Sequence, residues 1–299
     1  MNNVKDVFSI KDLENLSGIK AHTIRIWEKR YNVLEPMRSD TNIRYYSLDN
    51  LQKLLNIVIL HKFGYKISKI SKLNEPEIVG LVNRITTSKN ANNLAISQFK
   101  VAMMNFDQTL FIETYDLLLK EKSFRDVFYT VFIPLIEELG YLWQTNTISP
   151  AHEHFITFLI KQKILTNTEK LQYTNTSRDD KTFVLFLPPN EIHELGLMYL
   201  NYEIIAKGFK SIYLGESVPT DSLKAIVDTF DNITFVSYIT VEPTQEEINP
   251  YVENLVEVVT KNNNHNVHLI GRMTEFIENK TPEKLTLFNS IENLILSID

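Results

Sequence analysis

The sequence contains no cysteine. That absence removes disulfides, thiolate metal sites and thiol nucleophiles at once, and it suits the cytoplasm, where the protein is expected. Glycine is scarce, 8 in 299 residues. None of it forms a phosphate-cradling loop or the Gly-x-Ser-x-Gly elbow of a serine hydrolase. No apolar run approaches the roughly 20 residues needed to span a bilayer. Met1 to Lys11 also lacks the apolar stretch of a signal peptide, so no membrane partner is expected. There is no repeat at the spacing of roughly 20–50 residues that marks solenoids, and no low-complexity tract. Histidine-based metal chemistry is thin. His152-Glu153-His154 has no recognisable third ligand nearby, and His193-Glu194 lacks the second histidine of a zincin pair.

What is there is ordinary globular composition, 43% hydrophobic and 23% charged, with enough Phe, Tyr, Leu and Ile for real cores. The length suits about two or three domains. The formal charge of -6 is unevenly spread: residues 1–73 hold 13 Lys and Arg against 7 Asp and Glu, and the rest holds 18 against 30. A basic head on an acidic body points to a polyanionic partner for the head, unless the asymmetry is a chance fluctuation.

The chain reads in three parts. In the first, 1–75, Ser9-Ile10-Lys11-Asp12 has the form of a capping box with Asp in the fourth place. Leu13 and Leu16 follow at helical spacing, Gly18 breaks that helix, and a second helix is predicted over Ala21 to Lys29. Two short helices joined by a tight Gly turn make a helix-turn-helix pattern. Leu34 to Arg38 and Asn42 to Tyr46 are turn-rich, basic and aromatic, which suits a β-wing. Ser47 then caps a helix through Leu60, Gly64 ends it, and Ile67, Ile70 and Leu73 predict one more short helix. In the second part, 76–175, amphipathic segments near 91–104, 107–120, 123–140 and 150–167 favour an antiparallel four-helix bundle. Ser123 and Ser149-Pro150 mark helix starts there. Thr174 to Lys181 reads as a polar linker. In the third part, 182–299, strands are predicted at Phe183–Leu187, Ser211–Leu214, Thr234–Tyr238 and Val267–Ile270. They alternate with helices over His193–Lys207, Ser222–Phe230 and Gln245–Lys261, and a last helix begins near Ser290. Such alternation predicts a Rossmann-like parallel sheet whose ligands bind at the carboxyl ends of its strands. The fold class is a multidomain α and α/β chain.

Three blocks in the head carry a pattern: Ile24-Arg25-Ile26-Trp27-Glu28-Lys29-Arg30-Tyr31, then Leu34-x-Pro36-x-Arg38, then Arg44-Tyr45-Tyr46. Arg25, Lys29 and Arg30 follow helical spacing loosely and can project from one basic side, where they suit phosphate contacts. Lys20, His22 and Thr23, near the helix start, are candidates for base edges. Trp27 reads equally as a core residue or as part of the interface, and any single Arg reads also as a solvated side chain. Together the blocks resemble the MerR family of transcriptional regulators, over most of the first 70 residues. The resemblance implies a winged helix-turn-helix whose helix around Ala21 to Arg30 enters the major groove of double-stranded operator DNA. It implies that Arg38 and Arg44 serve the wing, with Tyr45 among the DNA-contacting residues, and that heads work as dimers on paired half-sites.

In the third part, Glu191-Ile192-His193-Glu194-Leu195-Gly196 follows a strand and opens a helix. Alone, a histidine in such a loop is more often structural. With Tyr213-Leu214-Gly215-Glu216-Ser217-Val218-Pro219 after the second strand, the segment resembles the cobalamin-binding domains and their D/E-x-H-x-x-G motif, over residues 182–299. The resemblance implies a cobalamin whose cobalt takes His193 as its lower ligand, while Glu191 holds the other imidazole nitrogen. It implies that the nucleotide tail passes close to Gly196, which has no side chain, and near Ser237 and Gly271. One departure is Arg272, where the family usually has a second glycine. An arginine there either crowds the tail or meets the cofactor phosphate.

In the second part, Trp143 is followed by nine residues and then Glu153-His154. Alone this reads as a buried Trp and a surface pair. Between the other two modules it resembles the cap bundle of light-responsive, cobalamin-dependent MerR repressors. The resemblance implies that Trp143 packs on the upper face of the corrin, with Glu153 and His154 near the alkyl group, so adenosylcobalamin is the expected form. Light-sensing members can carry a histidine directly after the Trp. Here that position is Gln144, a poor cobalt ligand.

The expectation is therefore a cobalamin-controlled transcriptional regulator and not an enzyme, for which the resemblance allows repression in the cobalamin-bound dark state, and whose ligand shifts the population between assembly states, dimer or tetramer. Two alternatives stay open. One is a regulator whose corrinoid domain has lost its ligand and senses a regulatory protein, motivated by Arg272 and Gln144. The other is a corrinoid methyl carrier or mutase module, which would not need the head.

Overall fold

The computed structural model describes residues 7–39, 41–84, 91–172, 178–260, 264–278 and 283–298. The chain divides into two compact units, Met1–Ile160 and Lys161–Asp299.

The first unit opens with α1 (Ile10–Ser17). Ser9 Oγ accepts the N–H of Asp12 at 3.1 Å and the Asp12 carboxylate accepts the N–H of Ser9 at 2.8 Å, closing the capping box. Gly18 ends the helix at φ 73°. The second helix, α2 (Ala21–Tyr31), runs past the predicted end at Lys29 and closes at Asn32, φ 50°. Lys20 supplies no side-chain cap. Instead the Glu14 carboxylate, from α1, accepts the N–H of Ala21 at 3.1 Å. The wing is an antiparallel pair, β1 (Met37–Arg38) and β2 (Arg44–Tyr45). Phe8 and Tyr46 exchange backbone hydrogen bonds of 2.8 Å beside it. Then come α3 (Leu48–Lys62), capped by Ser47, and the short α4 (Ile67–Ile70). A further helix, α5 (Glu75–Arg84), is one the sequence reading missed.

The four predicted helical segments follow. They are α6 (Ala91–Asn105), α7 (Gln108–Leu119), α8 (Phe124–Val127) running through a π-helical turn at Phe128–Phe132 into α9 (Ile133–Gln144), and α10 (Pro150–Gln172). Their core is aromatic: Phe132 lies within ring-centroid distances of 5.7 Å of Phe99, 6.3 Å of Phe111 and 6.0 Å of Tyr115. Polar groups tie α1 to these helices within the unit. Asn15 Nδ2 donates to Thr147 Oγ1 at 2.9 Å, and the buried Lys100 ammonium donates to the Leu16 carbonyl at 3.3 Å while pairing with Glu138.

The second unit contains a parallel sheet of β3 (Arg178–Phe186), β4 (Phe209–Gly215), β5 (Ile233–Tyr238), β6 (Asn266–Ile270) and β7 (Leu285–Phe288), in the order β4-β3-β5-β6-β7. Helices α11 (Leu195–Ala206), α12 (Lys224–Val227), α13 (Ile248–Thr260) and α14 (Ile291–Ser297) connect and cover them. Alternate residues of β5 serve opposite faces. Ile233 and Phe235 join the cluster that includes Val252, Leu255 and Val259 of α13. Thr234, Val236 and Tyr238 fall on the other side by the period of two.

Several expectations change. Residues 178–181, read as linker, begin β3, whose polar first half pairs Arg178 with Phe209 before a register shift; 173–177 lie outside the described residues. The helix expected from His193 starts at Leu195, because 191–194 are spent on a loop. The helix expected over Ser222–Phe230 is a 3-10 turn, Thr220–Leu223, followed by one turn of α12. The edge strand β7, only four residues long, was missed.

Because Phe132 joins four aromatic neighbours, Phe99, Phe111, Tyr115 and Phe128, Phe132→Ala should destabilise the first unit by about 3–5 kcal/mol. Chemical denaturation followed by near-ultraviolet dichroism measures it, and a loss below about 1 kcal/mol would show that the ring cluster is not the core of that unit.

Candidate functional site

In the sheet, β3 lies where the winding direction reverses, and the crevice of such sheets opens at the carboxyl ends of the strands there. Three loops meet at that point on one residue, Glu191, which is fully buried. Its Oε1 accepts the N–H groups of Ile192 at 2.9 Å and His193 at 3.0 Å, and lies 2.6 Å from His193 Nδ1. Its Oε2 accepts the N–H groups of Thr240, Val241 and Glu242, at 2.9, 2.7 and 3.1 Å, from the loop after β5. Its backbone carbonyl accepts the N–H of Ser217 at 3.2 Å, from the loop after β4.

Burial by itself raises the Glu191 pKa, but hydrogen bonds from His193 and from the backbone N–H groups of Val241, His193 and Glu242 outweigh it and hold the carboxyl at about 2. An ionised carboxylate can only accept, so the imidazole carries a proton on Nδ1 and turns Nε2 away from Glu191. The His193 side chain is 53% exposed. A neutral imidazole oriented by a buried carboxylate is a metal-ligating arrangement. Among the described residues no cluster of three or more His, Asp or Glu side chains is suited to hold a bare ion. An exposed imidazole held by a buried carboxylate suits a metal that arrives with its other ligands in place, as cobalt does in a corrin.

The residues expected near a nucleotide tail are less uniform. Ser237 is buried and its Oγ has no hydrogen-bond partner among the described residues, but by the period of two it lies with Ile233 and Phe235 on the α13 side of the sheet, opposite Tyr238 and Gly196, and does not line the space expected for the tail. Gly271, at φ 111°, ends β6 with its Cα packed on the Ile239 backbone, which leaves no room for a side chain. Arg272 is exposed. Gly196 lies in the first turn of α11, and a Cβ built there would stand 2.6 Å from Cε2 of Tyr238. The imidazole end thus fits a corrin cobalt, while the space beside Gly196 holds the Tyr238 ring.

On the helices of the first unit, Trp143 is 48% exposed at the end of α9. Glu153 is half-buried and His154 exposed, with His154 Nε2 at 3.4 Å from Glu153 Oε2. Phe158, one turn beyond His154, is also exposed; its i,i+4 spacing from His154 was the signal that could have found it. His152 is buried instead, stacked on Phe106, and its Nδ1 lies 2.8 Å from Ser149 Oγ at the start of α10. It faces inward while His154 faces out, so the two do not share a metal.

In the head, His22, Arg25, Lys29 and Arg30 are exposed on α2, and Thr23 is half-buried. Lys20 is exposed and paired with Glu14 at 3.3 Å. Trp27 takes the core alternative rather than the interface: it is 7% exposed and packs edge-on to His61 at 5.4 Å. Ile26, 47% exposed between Arg25 and Lys29, is an apolar member of the outer face that the sequence reading missed. Arg38 donates to Asn42 Oδ1 across the wing at 2.6 Å. Arg44 and Tyr45 are half-buried. Glu28 was also missed: it accepts from the buried Tyr46 hydroxyl and lies 3.6 Å from Arg44, joining the wing to α2. Burial and this carboxylate push the Tyr46 pKa up.

A basic winged helix-turn-helix and a parallel sheet with an oriented imidazole at its switch point define a DNA-binding regulator joined to a corrinoid-type domain. Residues 8–75 match the MerR HTH family of regulatory proteins and residues 95–165 match a B12 binding domain. The chain is 26% identical over 222 residues to the HTH-type transcriptional repressor CarH of Myxococcus xanthus, covering 72% of this chain and 73% of that one. It is 23% identical over 247 residues to the repressor CarA of the same organism, covering 79% and 78%. The monomethylamine corrinoid protein of Methanosarcina barkeri shares the fold, with a TM-score of 0.56 at 13% identity over 69% of this chain and 97% of that one. The chain thus combines a MerR-type helix-turn-helix with a B12-binding module and is homologous to the CarH and CarA repressors.

The lowered Glu191 pKa has a definite sign. Its contribution to stability is complete above the ordinary value of 4.5 and is lost as pH falls through about 2. That difference is worth about 3 kcal/mol. Denaturation of the cofactor-free protein between pH 6 and pH 2 should therefore show a steep loss that Glu191→Gln, itself less stable at pH 7, flattens. Parallel curves for the two proteins would contradict the assignment.

Proposed function

We propose that the chain is a DNA-binding transcriptional regulator controlled by a cobalamin, with adenosylcobalamin as the form it senses, and not an enzyme. The observation that carries the reading is the Glu191–His193 pair at the sheet's switch point in a chain that also has a MerR-type head. The working division is a DNA-binding domain over 1–75, a helical cap over 76–175 and a cofactor domain over 182–299. When bound, the cofactor supplies a cobalt with an exchangeable alkyl group. His193 Nε2 would bind that cobalt, and Glu191 would hold the imidazole in orientation. Trp143, Glu153 and His154, with Phe158, would offer the cofactor apolar and polar groups.

In the head, Arg25, Lys29 and Arg30 neutralise phosphates, while His22 and Thr23 reach base edges from the first turn of α2. Ile26 suits the methyl group of a thymine. Arg38, Arg44 and Tyr45 serve the wing. Heads pair on two half-sites, and the whole assembles as a dimer or tetramer. The ties from Asn15 and Lys100 to the helical segments give a route by which ligand binding changes the head, since a ligand that favours one arrangement shifts the population towards it.

Two measurements test the reading. After incubation with adenosylcobalamin in the dark and removal of free ligand, the protein should keep corrin absorbance, and His193→Ala should weaken binding and change the spectrum. Colour that never stays with the protein would favour a domain that answers to a partner protein instead. A further change under green light would mark a photoreceptor despite Gln144, and no change a cobalamin sensor. In mobility-shift assays on operator DNA, Arg25→Ala and Lys29→Ala should each weaken binding and lower the slope of log affinity against log salt by about one. An unaltered slope would remove those residues from the phosphate contacts.

A further inference from the structure

The space beside Gly196 is where the reading above puts the nucleotide tail, and in this chain it is filled. By the period of two along β5, Tyr238 follows Thr234 and Val236 onto the α11 side of the sheet. There its ring lies on Gly196: an added Cβ would stand 2.6 Å from Cε2 and 2.9 Å from Cδ2 and Cζ. Gly196 is therefore required by the chain's own packing, before any ligand is considered. Tyr238 is half-buried, whereas the residues before it in β5 are fully buried. Its ring thus sits at the mouth of the crevice and not deep in the core. The ligand end of the site is open by contrast, with the His193 side chain 53% exposed.

We propose that Tyr238 sets how strongly this chain discriminates against the nucleotide tail of a corrinoid. A corrin ring without a nucleotide tail needs only the exposed His193 imidazole and meets no obstacle at Gly196. A complete cobalamin has to displace the Tyr238 ring before its tail can pass. Adenosylcobalamin, the form proposed above, therefore binds against the displacement of this ring, whereas a tail-less corrinoid of the cobinamide class does not, and the difference resides in one aromatic side chain. This inference rests on the corrinoid reading of the His193 site.

The test compares binding of hydroxocobalamin and aquohydroxocobinamide by visible titration of the full chain, for wild type, Tyr238→Ala and Tyr238→Phe. Wild type and Tyr238→Phe, which keep the ring, should bind cobinamide at least as tightly as cobalamin. Tyr238→Ala should shift the ratio of the two affinities towards cobalamin by about tenfold or more, mostly by tightening cobalamin. A ratio unchanged by Tyr238→Ala, with both corrinoids bound, overturns the selectivity and leaves the corrinoid reading intact. Failure of both corrinoids to bind any of the three proteins overturns both claims; failure of cobalamin alone, with Tyr238→Ala as well as with wild type, overturns the role of Tyr238. The ring position is checked without a corrinoid: Gly196→Ala should lower the thermal midpoint, and adding Tyr238→Ala should recover part of the loss. Simple additivity of the two substitutions would show that the ring does not occupy that space.

Discussion

The second unit depends on one buried carboxylate. Taking Glu191 out of water would be prohibitive for an isolated charge, and the chain compensates with five backbone N–H groups and an imidazole. Those donors come from the Glu191 loop and the loop after β5, and the Glu191 carbonyl adds the loop after β4. Their geometry is coupled. The loops cannot move apart without stranding an ionised group, so the end of the sheet where ligands enter is organised before any ligand arrives. The same charge orients the His193 imidazole. Stability of the crevice and readiness of the imidazole therefore have a common cause.

Carboxylates play a related part in the head. Glu14 caps α2 from α1 and pairs with Lys20, and Glu28 joins α2 to the wing through Tyr46 and Arg44. In a segment with an excess of positive charge, these acidic residues face inward or along the framework. His22, Arg25, Lys29 and Arg30 are left on the outside. The basic surface is produced by which charges the fold uses for itself, and not by composition alone. Trp27 illustrates the complement: although embedded in the most basic stretch of the chain, it belongs to the core and helps set the orientation of α2.

Gly196 shows how one residue type can satisfy two different demands. A missing side chain admits a ligand, and it equally admits a neighbouring ring. Sequence comparison treats the two cases alike because both require glycine. Only the position of Tyr238, set by strand periodicity and by the packing of α11 on β5, separates them.

Much of this protein was legible in its residues. The capping box at Ser9, the glycine stop at Gly18, the four helical segments and the strand–helix alternation all follow from local chemistry with a short period. Such signals survive without knowledge of distant neighbours. The pairing of Glu191 with His193 was implied by the resemblance to cobalamin-binding domains, and it forms locally because both residues lie in one loop. What stayed hidden has the opposite character. The polar start of β3, the short β7, the burial of Trp27, the exposed Ile26 and Phe158, and the ring of Tyr238 on Gly196 are all set by residues far apart in the chain. Whether a side chain is covered, and by what, is a property of the packed structure. For that reason the sequence by itself determined the elements and the chemical groups of the site, and the tertiary structure decided which of those groups face outward and how much room they leave.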